Sequence, residues 1–150
     1  MKFLFGSLCF LFFTGCSEFH SSEAFSAHYE TACRTDISLS GTQFSVLPLS
    51  RDYEKAKWGV SPDSGFRVLF WGEFNSSEFP GKSFLISSGD TLPALLYRKS
   101  PAFDTGRNDS YVFAFSKPVS KPSVFTLSNF GKYGSISFKL KKCSHLRFKE

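Results

Sequence analysis

The stretch that decides the fold is GSISFKLKK, residues 134–142. Apolar side chains occupy every second position in it, at Ile136, Phe138 and Leu140, and the positions between them are polar. Successive side chains of a β-strand point to opposite faces of a sheet. The alternation therefore predicts a strand with one face in a core and the other in solvent.

Outward from this strand, the chain repeats short apolar runs that are separated by turn-forming residues roughly every 8 to 12 positions, as in β-sandwiches and barrels. The run over residues 65–74 is apolar on both faces, which predicts a central position in its sheet. We predict an all-β fold, an antiparallel β-sandwich or barrel, as a single domain over residues 33–150. Its about eight short strands are expected near residues 34–40, 42–47, 65–74, 82–88, 93–98, 111–117, 123–128 and 134–142.

The composition agrees with a β fold that has one core. The 150 residues include 20 Phe and 5 Tyr against 1 Met, and aromatic residues favour pleated, half-buried surfaces. A hydrophobic fraction of 41% is enough for one core without a metal. The net charge of +5 is compatible with anionic partners but says nothing about the fold.

Two segments have helical features. Asp52 begins a run to Trp58 that predicts one or two helical turns, and Gly59 then ends them. Residues 16–32 are mostly polar, and they fit either a flexible tether or a short helix that begins near Ser22. The sequence leaves both alternatives open.

The first 15 residues have the pattern of a signal peptide. Lys2 gives a basic start, residues 3–13 form an apolar run, and the small residues Thr14 and Gly15 follow. The run is too short to span a bilayer, which takes about 20 apolar residues. The pattern predicts export.

Residues 13–16, FTGC, resemble the lipobox of bacterial lipoproteins, in which a small residue precedes a cysteine that is acylated and becomes the new N-terminus. The resemblance covers only the leader, and Phe13 stands where that family favours Leu, Val or Ile. It implies a signal peptide over residues 1–15, palmitate on Cys16 and a membrane anchor. Since Ser17 rather than Asp follows the cysteine, it also implies sorting to the bacterial outer membrane. Secretion without lipid, after cleavage just beyond Cys16, is the alternative.

The remaining cysteines predict one disulfide. Once Cys9 and Cys16 are assigned to the leader and the anchor, Cys33 and Cys143 are left as an even pair in an oxidising compartment. Their bond would tie the first strand to the last, with the two Cα atoms roughly 4.4 to 6.8 Å apart.

Two features of the sequence bear on a chemical site. The histidines are isolated and without ligand spacing, so no metal or cofactor is predicted. Residues 103–106, FDTG, resemble the Asp-Thr-Gly loop of aspartic proteases, which implies a hydrolase in which Asp104 of two copies shares a proton. Arg107 stands where that family has a small residue, and Asp, Thr and Gly are also common in hairpin turns. We favour the turn and predict no enzymatic activity.

Basic residues near the C-terminus are the last candidate. Lys139, Lys141 and Lys142 could contact an anionic surface or an envelope protein, although lysines on a strand also protect sheet edges from aggregation. Export argues against nucleic acid as a partner. The sequence thus predicts a lipid-anchored binding or structural module of the bacterial envelope whose ligand it does not identify.

Overall fold

The computed structural model describes residues 17–60, 65–74, 82–99, 109–116 and 122–149. Within these ranges the chain forms eleven strands and two α-helices. Their bounds, in chain order, are β1 (Ser17–Phe19), α1 (Ser22–Cys33), β2 (Thr35–Leu39), β3 (Thr42–Leu49), α2 (Arg51–Trp58), β4 (Phe66–Gly72), β5 (Lys82–Ser87), β6 (Asp90–Pro93), β7 (Leu96–Lys99), β8 (Asp109–Phe115), β9 (Ser123–Ser128), β10 (Ile136–Leu140) and β11 (Leu146–Phe148).

Two antiparallel sheets carry the fold. One has five strands in the order β2-β3-β4-β8-β7, and the other has four in the order β10-β9-β5-β6. They pack face to face as a sandwich and do not close into a barrel, which confirms the predicted β-sandwich. Strand β4 is central in the five-stranded sheet, as its apolar faces predict.

The core between the sheets is rich in phenylalanine. Strand β10 shows how it is built, since Ile136, Phe138 and Leu140 are buried while Ser137 and Lys139 are exposed. This is the alternation that the sequence predicts. The buried members of this core are Phe44, Val46, Val68, Phe70, Leu85, Tyr111, Phe113, Phe115, Phe125, Leu127, Phe130, Ile136, Phe138 and Leu140.

A second core lies on the other face of the five-stranded sheet, where the helices and the small β1–β11 sheet cover it. Strand β4 contributes to both cores, with Val68 and Phe70 on one face and Leu69 on the other. The molecule therefore has a helical layer outside its two sheets. The buried members of the second core are Phe25, Tyr29, Cys33, Leu47, Leu49, Tyr53, Leu69, Val112, Cys143 and Leu146.

Of the two alternatives for residues 16–32, a flexible tether or a short helix, the structure has the helix, α1. The Ser21 hydroxyl caps it by accepting a hydrogen bond from the Ala24 N–H at 3.3 Å. Phe25, Tyr29 and Cys33 follow one another at intervals of four and are buried, so they share one face of the helix. That face packs on the sheet, and α1 is part of the folded domain.

Helix α2 confirms the predicted helical turns before Gly59. The Ser50 hydroxyl accepts a hydrogen bond from the Tyr53 N–H at 3.1 Å and caps the start. Gly59 ends the helix in the left-handed conformation, with φ of 69°, which glycine adopts without steric cost. The cap places Arg51 at the first helical position.

The predicted strand over residues 93–98 is wrong as a single element. Strand β6 ends at Pro93 in the four-stranded sheet, and β7 begins at Leu96 in the five-stranded one. Between them, the Ala94 N–H donates to the Ser83 carbonyl in the four-stranded sheet, and the Leu95 N–H donates to the Ala114 carbonyl in the five-stranded sheet. The chain crosses between the layers here, which an apolar run alone does not reveal.

Strands β1 and β11 form a parallel pair that the sequence analysis did not predict. Ser17 lies opposite Leu146 and Phe19 opposite Phe148, and the Lys149 N–H donates to the Phe19 carbonyl at 2.9 Å. Each strand has three residues, which is too short for a periodic pattern. As a result the chain is already part of the fold at residue 17.

Candidate functional site

The cystine marks the end of the sandwich where the candidate site lies. Cys33 and Cys143 are bonded, with their Cα atoms 6.1 Å apart, as predicted. The elements that they join differ from the expectation, because Cys33 is the last residue of α1 and Cys143 lies between β10 and β11. The bond thus fixes the end of a helix to a loop, not one strand to another.

A cavity of about 480 Å³ opens beside this cystine, and we call it the basic cavity. Its walls come from the end of β3, the start of α2, the start of β4, the start of β9 and the chain that follows β10. Tyr29 of α1 and Cys143 itself complete the lining. A volume of about 300 to 1,000 Å³ is usual for small-molecule sites, so the basic cavity can hold a ligand.

Three cations line the basic cavity, namely Arg51, Lys141 and Lys142. All three are exposed, and none of them has an ion-pair partner among the described residues. Asp52, the neighbour of Arg51, turns away and accepts a hydrogen bond from the Phe148 N–H at 3.2 Å. The described part of the lining contains no acidic residue, so the cavity favours an anion.

The walls of the basic cavity are largely apolar. Leu49, Phe66 and Leu140 reach it from three different strands, and Pro48 and Pro122 add further apolar surface. Neither proline adds a backbone donor to the wall, since proline has no N–H. The cavity therefore joins an apolar interior to a cationic mouth.

The structure separates the three lysines that the sequence grouped together. Lys141 and Lys142 line the basic cavity, where they meet Arg51. Lys139 lies on the outer face of the four-stranded sheet, opposite Val124 of β9. Arg51 was missed in the sequence, because it stands far from the lysines in the chain and no motif surrounds it.

Two other basic residues of the C-terminal region are engaged in ion pairs. Lys149 Nζ lies 2.7 Å from the carboxylate of Glu18, and Arg147 lies 3.9 Å from that of Asp52. The contact with Lys149 holds the pKa of the Glu18 carboxyl below its usual value. These two ion pairs link the C-terminal strand region to β1 and α2 at the surface.

A buried ion pair joins helix α2 to the five-stranded sheet. Arg67 of β4 donates to Glu54 of α2 at 2.7 Å, and the Glu54 side chain is only 6% exposed. Burial raises the pKa of Glu54 to about 7, although the Arg67 guanidinium opposes the shift. Among the described atoms, Arg67 Nε is buried without a hydrogen-bond partner.

Two tyrosines of the helical layer make further hydrogen bonds. The Tyr53 hydroxyl donates to Glu30 at 2.7 Å, and the Tyr29 hydroxyl donates to the Pro48 carbonyl at 2.9 Å. Burial raises the pKa of Tyr29 to about 12, and it raises the pKa of Tyr53 as well. Both phenols stay protonated and act as structural donors.

Several sequence-predicted positions lie outside the described residues. They are Cys16, the proposed lipidation site, and Asp104 with the rest of the Asp-Thr-Gly loop. Within the described ranges, no three histidine, cysteine or acidic side chains are grouped to hold a metal ion. In the same ranges, no helix has both the length and the apolar character needed to span a membrane.

Comparison with known proteins gives no further guide to the site. No protein-family model, no curated protein and no solved structure matches this chain.

Proposed function

We propose that this protein is a lipid-anchored binding module, held at a bacterial membrane through Cys16, whose binding site is the basic cavity. The FTGC motif at residues 13–16 supports the anchor. One structural observation carries the rest: Ser17 pairs with Leu146, three residues after Cys143. The residue that follows the proposed anchor thus pairs with the chain three residues after Cys143, which lines the basic cavity.

The distance between the anchor and the fold is short. Ser17 follows Cys16 directly and is already part of β1, and one extended residue spans at most about 3.6 Å. Acyl chains on Cys16 would hold the domain close to the lipid headgroups, with no flexible spacer between them. Each lysine near an anionic surface contributes about 1 kcal/mol of attraction, so Lys141 and Lys142 would add to the anchor.

We propose a binding role without catalysis. The cationic side chains of the basic cavity attract anions, and its described lining holds serine hydroxyls but no histidine or carboxylate that could act as their general base. Sorting to the outer membrane belongs to the same proposal, on the ground that Ser17 rather than Asp follows Cys16.

The intact mass of the protein from its native membrane tests the anchor. We expect the mass of a chain that begins at Cys16 and carries acyl groups. Those acyl chains would hold the protein at the membrane, since each buried CH₂ contributes about 0.8 kcal/mol of membrane affinity. Labelled palmitate should enter the wild-type protein but not the Cys16→Ala variant, which should also leave the detergent phase.

Cys9→Ala is the matched control, since it removes a cysteine of the leader and should leave labelling unchanged. A mature chain that begins after Cys16 without lipid would show secretion in place of anchoring. Equal labelling of the Cys16→Ala and wild-type proteins would also contradict the proposal.

A further inference from the structure

We propose that the ligand of the basic cavity is an amphiphilic anion, with a phosphate group at Arg51, Lys141 and Lys142 and an alkyl chain along the apolar walls. The inference rests on the proposed function only in that the protein is a binding module. It does not depend on the lipid on Cys16.

The charges of the cavity select the head of the ligand. Arg51, Lys141 and Lys142 line the same cavity from two separate parts of the chain, and the described lining offers no carboxylate to neutralise them. Ser50 and Ser144 add hydroxyl groups to the same lining. Charge-assisted hydrogen bonds from lysine and arginine to phosphate oxygens are stronger than those between neutral groups. A phosphate therefore satisfies this mouth better than an uncharged polar head.

The walls of the cavity select the tail. Leu49, Phe66 and Leu140 lie deeper in the fold than the cations, as members of the cores or packed against them. A bare phosphate would leave this apolar surface uncovered. Each methylene that an alkyl chain buries there should strengthen binding about fourfold.

The position of the cavity distinguishes it from a general basic surface. Lys139 and Lys132 are also exposed, but Lys139 lies on the outer sheet face and Lys132 sits over the Tyr133 ring at 5.1 Å. Neither residue lines the basic cavity. They therefore provide a matched pair of lysines for a control variant.

Titration of the full-length protein in a nonionic detergent with octyl phosphate, followed by ³¹P NMR, tests the inference. We expect saturable binding, and at least about tenfold weaker binding of inorganic phosphate. The Lys141→Ala/Lys142→Ala variant should bind octyl phosphate about tenfold or more weakly, because hydrogen bonds to charged groups are lost. The Lys132→Ala/Lys139→Ala variant has the same net charge as the Lys141→Ala/Lys142→Ala variant, but it should bind octyl phosphate with the affinity of the wild type.

Three results would overturn the inference. Equal affinity for inorganic phosphate and octyl phosphate would show that the apolar walls do not bind an alkyl chain. Equal weakening of octyl phosphate binding in the two double-lysine variants would show that the basic cavity is not the binding site. Equal affinity for octyl trimethylammonium, which has a cationic head, would show that the cavity does not select an anionic head group.

The source of the amphiphile is identified by competition with phospholipids added as mixed micelles in the same detergent. Displacement of octyl phosphate by phosphatidylglycerol, but not by phosphatidylcholine at the same concentration, assigns the cavity to membrane lipid headgroups. Binding without displacement by either supports a free amphiphile. Octyl phosphate binding by a protein that carries no acyl group would support this inference while contradicting the anchor, so the two failures are distinguishable.

Discussion

Glu54 is a buried carboxyl whose protonation is linked to the stability of the fold. Its pKa of about 7 lies above the ordinary value of 4.5 because burial disfavours the charged form. The folded state therefore holds this proton more tightly than the unfolded state does. The resulting stabilisation is complete below pH 4.5 and is lost as the pH rises through 7.

We expect the free energy of unfolding of the wild-type protein to fall, relative to Glu54→Gln, by up to about 3 kcal/mol between pH 4.5 and 7. The glutamine cannot ionise, so its stability lacks this contribution. Urea denaturation of both proteins at several pH values measures the difference.

Glu18→Gln serves as the control for this titration. Glu18 is an exposed carboxyl whose pKa is lowered by Lys149, so its contribution to stability changes at a lower pH. Its profile should parallel that of the wild type between pH 4.5 and 7. Parallel profiles for the wild type and Glu54→Gln over the same window would refute the linkage.

At the scale of elements, the pairing of β1 with β11 depends on one aromatic side chain. The Phe19 ring lies 5.6 Å from that of Phe25 and 5.0 Å from that of His28, measured between centroids. Beside it, Glu18 forms only an exposed ion pair with Lys149, and such pairs contribute little. Packing of Phe19 should therefore hold β1 in place.

Phe19→Ala should cost about 1 to 3 kcal/mol, since Phe19 is only half-buried and complete truncation of a core phenylalanine costs more. The loss should appear first as local opening of β1. Hydrogen exchange at the Lys149 N–H, which bonds the Phe19 carbonyl, measures it directly.

Glu18→Ala, at the neighbouring exposed position, should change that exchange much less than Phe19→Ala does. Equal acceleration in the two variants would show that the ion pair, and not the ring, holds the strand.

The elements that the sequence predicts well are those with a clear period. Strand β10 alternates and buries one face, and β4 is apolar on both faces because a core lies on each side of it. The run that ends at Trp58 and the glycine after it, Gly59, predict helix α2. In each case the pattern of apolar and polar residues within the element itself is enough to predict it.

The elements that the sequence did not predict depend on distant parts of the chain. Strand β1 exists because β11 lies beside it, and residues 93–98 divide because their two ends bond to different sheets. The basic cavity has the same origin, since Arg51 meets Lys141 and Lys142 only in the folded molecule. Local sequence patterns carry no information about contacts between residues that are far apart in the chain.

The whole molecule is constrained by the bond between Cys33 and Cys143, which are 110 residues apart. Closing so long a loop lowers the conformational entropy of the unfolded chain. The loop-closure model gives a stabilisation of about 4 to 5 kcal/mol, a large part of the stability of a small domain.

The Cys33→Ser/Cys143→Ser variant should lose stability by about that amount in denaturant unfolding. Addition of a reductant to the wild-type protein should produce the same loss and should leave the variant unchanged. Alkylation of both cysteines in the denatured but unreduced chain would rule the bond out.

The parallel pairing of β1 with β11 also sets an order of events as the chain is made. Ser17 cannot meet its partner until Leu146 exists, 129 residues later (146 minus 17). Chains are synthesised from the N-terminus at about 5 to 20 residues per second, so this wait lasts roughly 6 to 26 s. During that time residues 17–19 have no partner strand and stay accessible to other proteins. The arrival of β11 then ends this period of access.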